Sequence, residues 1–318
     1  MSDLPNPVTL AIPAFIGLMV LEAWLMRKRR AYHVRDTVTS IALGLGSQVA
    51  GLLSAGAIYG VGLAVGSLAP VSLGWAWYVW PVCFVLDDLA YYWFHRSAHR
   101  VRWFWASHVV HHSSEHYNLS TAVRQTWTGF LSLSFLFRLP LFLLGFPPAM
   151  VFVCAGANLV YQFWIHTEAV GRMPRWVETV MNTPSHHRAH HGRNPRYLDT
   201  NYAGVFIVWD RLFGTFEAES DEDAPEYGLV VPLGHFNILR AATHEWVGIA
   251  RDVWTAPDWR SRLNYMVREP GWSHDGSRET SARYKERWLA RRESEECPTS
   301  SMSSSSAAAP PVQRSPAA

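Results

Sequence analysis

The chain contains only three cysteines, Cys83, Cys154 and Cys297, and no two of them form a C-x-x-C pair. That scarcity excludes a disulfide framework and a four-thiolate zinc site, so any bound metal needs other ligands. Net charge is scarce too: 28 basic against 26 acidic side chains leave a formal +2. Such a balance gives no electrostatic grip on nucleic acid, and no basic stripe with interleaved aromatics supplies one. With 49% apolar and only 17% charged residues among 318, the chain is neither disordered nor fibrous.

The most telling absence is local. Residues 37–86 hold no Asp, Glu, Lys or Arg, more than twice the ~20 residues with which an α-helix crosses a bilayer. Two spans are expected there, at about 38–66 and 74–94, joined by a turn at 67–74 that contains Pro70 and Gly74. Residues 8–26 are another apolar run with a single acid, Glu22, followed by Arg27, Lys28, Arg29 and Arg30. Because the basic cluster follows the run, it reads as a first span rather than a cleavable signal peptide. A further apolar pair, 128–145 and 148–166, hinges at Gly145-Phe146-Pro147-Pro148 and carries one charge, Arg138. It reads as two spans or as a shallower hairpin.

The positive-inside rule places the basic cluster at 27–36 in the cytoplasm, which returns the chain to that face near Phe94 and again at His166. Residues 168–294 are charged and rich in Arg and Trp, as suits a domain lying against the membrane. Within them Phe236, Leu239, Trp246, Ile249 and Val253 fall at helical spacing, either as a membrane-lying face or as an ordinary core face. From about Glu293 the composition turns to Ser, Ala and Pro, which reads as a disordered tail. The expected fold is all-α: a multi-pass helical membrane protein of about three to five spans with a cytoplasmic-face helical cap. The expected units are N-terminal spans at 1–74, a catalytic domain at 75–220, a membrane-apposed helical region at 221–292 and the tail at 293–318. Either a bacterial inner membrane or the endoplasmic reticulum suits that topology.

Of 15 histidines, 11 lie between positions 95 and 191, and this topology brings every cluster to one membrane face. His95 and His99 follow the third span at i, i+4 spacing, which puts both imidazoles on one face of a helix. His108-Val-Val-His111-His112 and His187-Arg-Ala-His190-His191 repeat the arrangement, and His166 closes the last apolar span. One H-x-x-x-H pattern arises readily by chance on a helix surface; three converging clusters do not. Eight imidazoles plus His166 exceed what one ion accepts and suit two. Imidazole binds zinc, copper, iron and nickel alike, so ligand type leaves the metal open. A metal transporter would carry its ligands near the bilayer midplane in broken helices, not at helix ends. Asp88 shares a helical face with Tyr92, His95 and His99, and a carboxylate inside a span needs a partner. It is expected to orient a ligand imidazole or to make a helix–helix contact. Trp93, Trp103, Trp105 and Trp164 suit an interfacial belt near the clusters.

H-x-x-x-H after an apolar span, followed by two H-x-x-H-H boxes, resembles the fatty acid hydroxylase and sterol desaturase superfamily of integral-membrane, non-haem di-iron oxygenases over roughly residues 75–220. The stretch from His108 to Glu115, the run Asn182-Thr183-Pro184-Ser185-His186-His187-Arg188-Ala189-His190-His191-Gly192-Arg193-Asn194, and the segment from Trp209 to Phe216 resemble its alkylglycerol monooxygenase branch. Gln162-Phe163-Trp164-Ile165-His166-Thr167-Glu168 fits the same branch. The resemblance implies two irons held by His95, His99, His108, His111, His112, His166, His187, His190 and His191, the eight box histidines forming the catalytic centre. Some relatives carry a further histidine where Gln162 stands, so Gln162 either holds a water on the metal or leaves nine ligands. His186, outside the repeated spacing, is expected beside the site. His33, His116, His235, His244 and His274 have no partner at ligand spacing. The implied activity is hydroxylation of a lipid C–H bond with dioxygen as co-substrate. Desaturation of a lipid or sterol by the same centre is an alternative, and a non-catalytic membrane metal-binding protein is another. Gly44-Leu45-Gly46 lies in an apolar span and is no dinucleotide fingerprint. Electrons therefore come from a separate donor, which the resemblance implies is a tetrahydropterin or a redox protein. The oligomeric state is open.

Overall fold

In the computed structural model, which describes residues 4–29 and 31–296, the charge-poor N-terminal stretches form helices α1 (Pro7–Leu25) and α2 (Val34–Gly66). The Asn6 side chain caps α1 by accepting the Val8 amide at 2.9 Å, and Pro7 opens the helix where its missing N–H costs nothing. His33 caps α2, its Nδ1 accepting the Asp36 amide. Both helices are long and apolar enough to cross a membrane, and Ile16, Val20, Leu52 and Leu53 stand exposed along them. Large aliphatic side chains left outward along whole helices have lipid as their natural solvent.

The remaining helices are α3 (Val79–Arg100), α4 (Arg102–His112), α5 (Leu119–Ala122), α6 (Leu139–Leu143), α7 (Pro148–Trp164), α8 (Arg175–Val180), α9 (Pro184–His190), α10 (Val208–Leu212), α11 (Ile238–Thr255), α12 (Trp259–Val267) and α13 (Ser281–Glu296). Among the described residues there is no strand, only an isolated bridge between Gly192 and Tyr227.

The stretch 128–145 is not one continuous helix. Leu133 is left-handed (φ 55°), a 3-10 turn follows at Ser134–Arg138, and Pro140 restarts the chain as the five-residue α6. Arg138, the lone charge there, is neutralised by Asp87 at 2.7 Å. The turn after α2 and the turn after α6 meet where the Leu73 amide donates to the Gly145 carbonyl at 3.0 Å. Gly145 has φ 90°, and a Cβ there falls 2.1 Å from the Val71 carbonyl oxygen, so only glycine fits. An apolar core of Cys83, Leu141, Phe142, Phe146, Met150 and Cys154 fills this end.

The opposite ends of α3 and α7 are polar, and there α4, α9 and the loop 199–206 close over them. Helix α11 packs on α4 through Ala241 and Ala242, and its Ile249 is buried. Two of the expected stripe residues, Phe236 and Leu239, are exposed instead, and Trp246 turns inward to donate to Thr128 Oγ1 at 2.9 Å. The core-face reading of that stripe therefore holds for its C-terminal part. Arg102 fixes the packing, reaching Glu245 and Asp252 at 2.6 Å each. Helix α13 includes 293–296, four residues expected in the tail; the remainder of that tail lies outside the described residues.

Candidate metal centre

The three boxes lie on α3, α4 and α9, whose direction is fixed by buried side chains packed behind them. Helix α3 delivers His95 and His99, and the chain reverses at Val101 so that α4 folds back beside it with His108, His111 and His112. Arg124, fully buried, clamps the end of α4: its Nε donates to the Val110 carbonyl at 3.1 Å and to Ser113 Oγ at 3.0 Å, while its Nη1 reaches Asp36 at 3.3 Å. Helix α9, opened by Pro184, delivers His187, His190 and His191. Arg188 within it grips Glu219 with two bonds of 2.7 and 2.8 Å and caps the Thr167 carbonyl beside His166.

All nine expected ligands converge, and they divide into two adjacent groups. His95, His99, His108, His112 and His190 form one; His111, His166, His187 and His191 form the other, and within each the ring nitrogens lie within 4.8 Å of one another. Each H-x-x-H-H box is shared. Its outer pair at i, i+4 serves one group and its middle histidine the other, so α4 and α9 each bridge both. His112 and His191 stack across the boundary with ring centroids 4.3 Å apart.

The ring orientations suit metal binding. His95, His111, His166 and His190 each donate Nδ1–H to a backbone carbonyl, those of Tyr202 (2.8 Å), Arg124 (3.2 Å), Gln162 (2.7 Å) and Thr200 (2.9 Å). A hydrogen held on Nδ1 leaves the Nε2 lone pair aimed inward. Nε2 atoms stand 2.9 Å apart between His95 and His108, 3.0 Å between His166 and His111, and 3.1 Å between His190 and His112. Nitrogens bound at roughly 2.1 Å and at right angles about one ion lie about 3.0 Å apart. His99 Nε2 and His191 Nε2 are buried without a hydrogen-bond partner among the described residues, as expected of atoms reserved for an ion. Burial also keeps the imidazoles of the second and third boxes unprotonated, lowering His111 to about 4 and His190 to about 3, with His108, His112, His187 and His191 pushed well down by burial and by neighbouring imidazoles. Neutral imidazole is the form that binds metal. Trp105 covers the larger group, its ring 5.2 Å from His99 and 5.7 Å from His112.

Of the three neighbours expected beside the ligands, Asp88 reaches no imidazole. Its carboxylate accepts from Asn158 Nδ2, the Val205 and Phe206 amides and Trp209 Nε1, all at 2.8–2.9 Å. It therefore makes the helix–helix contact between α3 and α7 and pins the loop whose Tyr202 carbonyl holds His95. Gln162 turns its side chain to Asn158 at 2.6 Å and orients His166 through its carbonyl. His186 lies outside both groups, 4.0 Å from Glu178 and against Phe216. His33 and His116 stack on one another at 5.2 Å, whereas His274 is bonded to Tyr265.

A cavity of about 720 Å³ opens onto both groups. His108 from one and His111 and His166 from the other form its floor, with Tyr91, Ser107 and Gln162 beside them. Its walls run out between α1 and α2 along Ile12, Ile16, Met19, Ile41 and Leu45.

Residues 80–215 match the fatty acid hydroxylase family. The matched segment contains every histidine of the two groups. Over the longer chain, alkylglycerol monooxygenase of Danio rerio is 41% identical across 277 residues and that of Homo sapiens 39% identical across 281. These matches cover 85% and 86% of this chain but 61% of each relative. An ornithine lipid hydroxylase of Rhizobium tropici is 28% identical over 156 residues, 47% of either chain. No solved structure gives a significant match.

Sequence reasoning missed the parts of the domain that hold the ligands from behind. Arg124, Tyr202, Thr200 and Asp210 act through backbone groups; Asp210, for instance, accepts the Tyr202 and Ala203 amides at 2.7 and 2.8 Å. Glu22 was visible as a lone acid in an apolar run. It anchors the Leu119 amide at 2.8 Å, the Tyr32 hydroxyl at 2.5 Å and Thr167 Oγ1, beside His166.

Proposed function

We propose that the protein is a membrane monooxygenase that hydroxylates a C–H bond of a lipid, with two irons held by the nine histidines. The observation that carries this reading is the junction of the two histidine groups with an apolar cavity walled by α1 and α2. The relatives' names, alkylglycerol monooxygenase and ornithine lipid hydroxylase, support hydroxylation of a lipid over desaturation. A metal store has no use for a cavity of this length against its ligands, which speaks against a non-catalytic scaffold.

The irons, when bound, supply the activation of dioxygen needed to attack an unactivated C–H bond, chemistry beyond any side chain. The chain's own residues do the rest. The carbonyls of Tyr202, Arg124, Gln162 and Thr200 fix four imidazoles in the binding tautomer. Trp105 and Tyr117, whose hydroxyl donates to the Ile165 carbonyl at 3.0 Å, close the site against water. The cavity walls align an alkyl chain so that carbons near its polar end face His108, His111 and His166. Electrons come from a separate donor.

Helices α1, α2, α3 and α7 are assigned as the membrane helices. At 1.5 Å per residue they measure about 28, 50, 33 and 25 Å against a hydrocarbon core of about 30 Å, so α2 tilts or projects beyond it. The basic cluster after α1 puts the histidines on the cytoplasmic face. Residues 1–74 then serve as N-terminal spans, 75–220 as the catalytic domain and 221–292 as a helical cap. Lipid mass spectrometry of cells with and without the gene, with His111→Ala as control, tests the assignment. A lipid carrying one added oxygen, absent with the control, is expected. A product with two fewer hydrogens, or one that survives His111→Ala, overturns it.

A further inference from the structure

Among the described residues, the cavity over the histidines is lined by no Asp, Glu, Lys or Arg, so none of them balances a charged headgroup there. At Ala23 and Tyr32 it adjoins a second pocket of about 520 Å³, whose wall includes Arg27, His33 and His116. The junction lies next to the smaller histidine group: Tyr32 donates to Glu22, which also holds Thr167, the neighbour of His166. A lipid whose chain fills the apolar cavity therefore has its polar end at this second pocket while its first carbons lie by the histidines.

We propose that the second pocket is a headgroup site and that it takes a phosphate group. Arg27 stands at its edge over the Trp24 ring at 4.8 Å, with Nη1 donating to the Trp24 carbonyl at 2.5 Å. A guanidinium has five donors in a rigid fork, so most remain for a phosphate oxygen pair. With Nδ1 accepting the Asp36 amide, the His33 ring carries its hydrogen on Nε2, a further donor. His116 lies parallel to it at 5.2 Å. Among the described residues Arg27, Lys28 and Arg29 form no ion pair. The carboxylates of Glu22 and Asp36 are turned inward, Glu22 to Tyr32, Leu119 and Thr167, and Asp36 to Arg124 and Ser114. The positive-inside rule asks only that basic residues flank the span; it does not ask that one of them wall a pocket adjoining the lipid cavity.

The proposal rests on the lipid-monooxygenase reading only for the presence of a lipid in the cavity, so its test reads binding without turnover. Native mass spectrometry of the full-length, metal-loaded protein in detergent compares a monoalkylglycerol, the same compound bearing a 3-phosphate, and inorganic phosphate alone. The phosphate-bearing lipid is expected to bind roughly tenfold tighter than its neutral counterpart. Arg27→Gln should bring the two to parity, Arg27→Lys should keep most of the gap, and Arg29→Gln, which removes the same charge outside the pocket, should leave it intact. Equal affinities in the unmodified protein, a gap that survives Arg27→Gln, or inorganic phosphate binding as tightly as the phosphate lipid each overturn the proposal. A gap found in a protein without oxygenase activity upholds the headgroup site and removes only the activity; an active protein without the gap does the reverse.

Discussion

Replacing Arg124 by Met tests whether the polar layer behind the histidines is what holds them in place. The guanidinium is 2% exposed and lies between the Asp36 carboxylate, the Val110 carbonyl and Ser113 Oγ. Met fills most of the volume but leaves Asp36 buried, with the Ser114 hydroxyl at 2.5 Å as its remaining strong partner. Deleting one member of a buried ion pair costs about 3–5 kcal/mol, because the other charge stays desolvated. At about 2–3 °C per kcal/mol for a chain of this size, the thermal midpoint should fall by roughly 6–15 °C. Adding Asp36→Asn removes the stranded charge, so the double variant should regain at least ~2 kcal/mol. Temperature-dependent loss of the folded peak in detergent, measured for both single variants and the double, reads all three values. His111 bonds to the Arg124 carbonyl, which Met also supplies, so iron content should fall less than stability does. A midpoint within about 1 °C of the parent, or a double variant no better than Arg124→Met, refutes the reasoning.

Other changes probe the site itself. His191→Ala leaves three imidazoles in the smaller group and should lower iron per chain more than His99→Ala, which leaves four in the larger; plasma mass spectrometry of both variants compares them. At Gly204 a Cβ falls 2.6 Å from Asn158 Oδ1 and 2.7 Å from Asp88 Oδ1, so Gly204→Ala should destabilise by about 1–3 kcal/mol, readable as a lowered denaturation midpoint. Chelation strips ions that bind only the folded state, so it should lower the thermal midpoint, and ferrous iron added back should restore it. Ile41→Trp narrows the cavity and should raise KM for long-chain lipids more than for short ones, with kcat little changed.

The histidine clusters were legible because helical spacing encodes them. A pair at i, i+4 lies on one face whatever the surroundings, so His95 with His99, and each H-x-x-H-H box, announced themselves before any fold was known. That the boxes divide between two groups was not legible, since it depends on how α4 and α9 cross. The supports were hidden for a related reason: Tyr202 and Thr200 contribute carbonyls, which every residue has, from a loop about a hundred positions beyond His95 in one case. Asp88 was recognised as a carboxylate needing partners, but its four donors come from α7, the loop at 205–206 and α10, so its effect on His95 is indirect. The stretch 128–145 is apolar enough to resemble a span, yet it runs as turns to Leu133, a 3-10 segment at Ser134–Arg138 and the five-residue α6. Hydropathy records composition and not backbone direction.

The most direct test of the account is the metal content of the full-length protein, purified without chelators under anaerobic conditions. Two irons per chain, with zinc and copper well below stoichiometry, is the predicted result. Zinc in their place, or preparations that hydroxylate lipid at full rate with iron near zero, would contradict it.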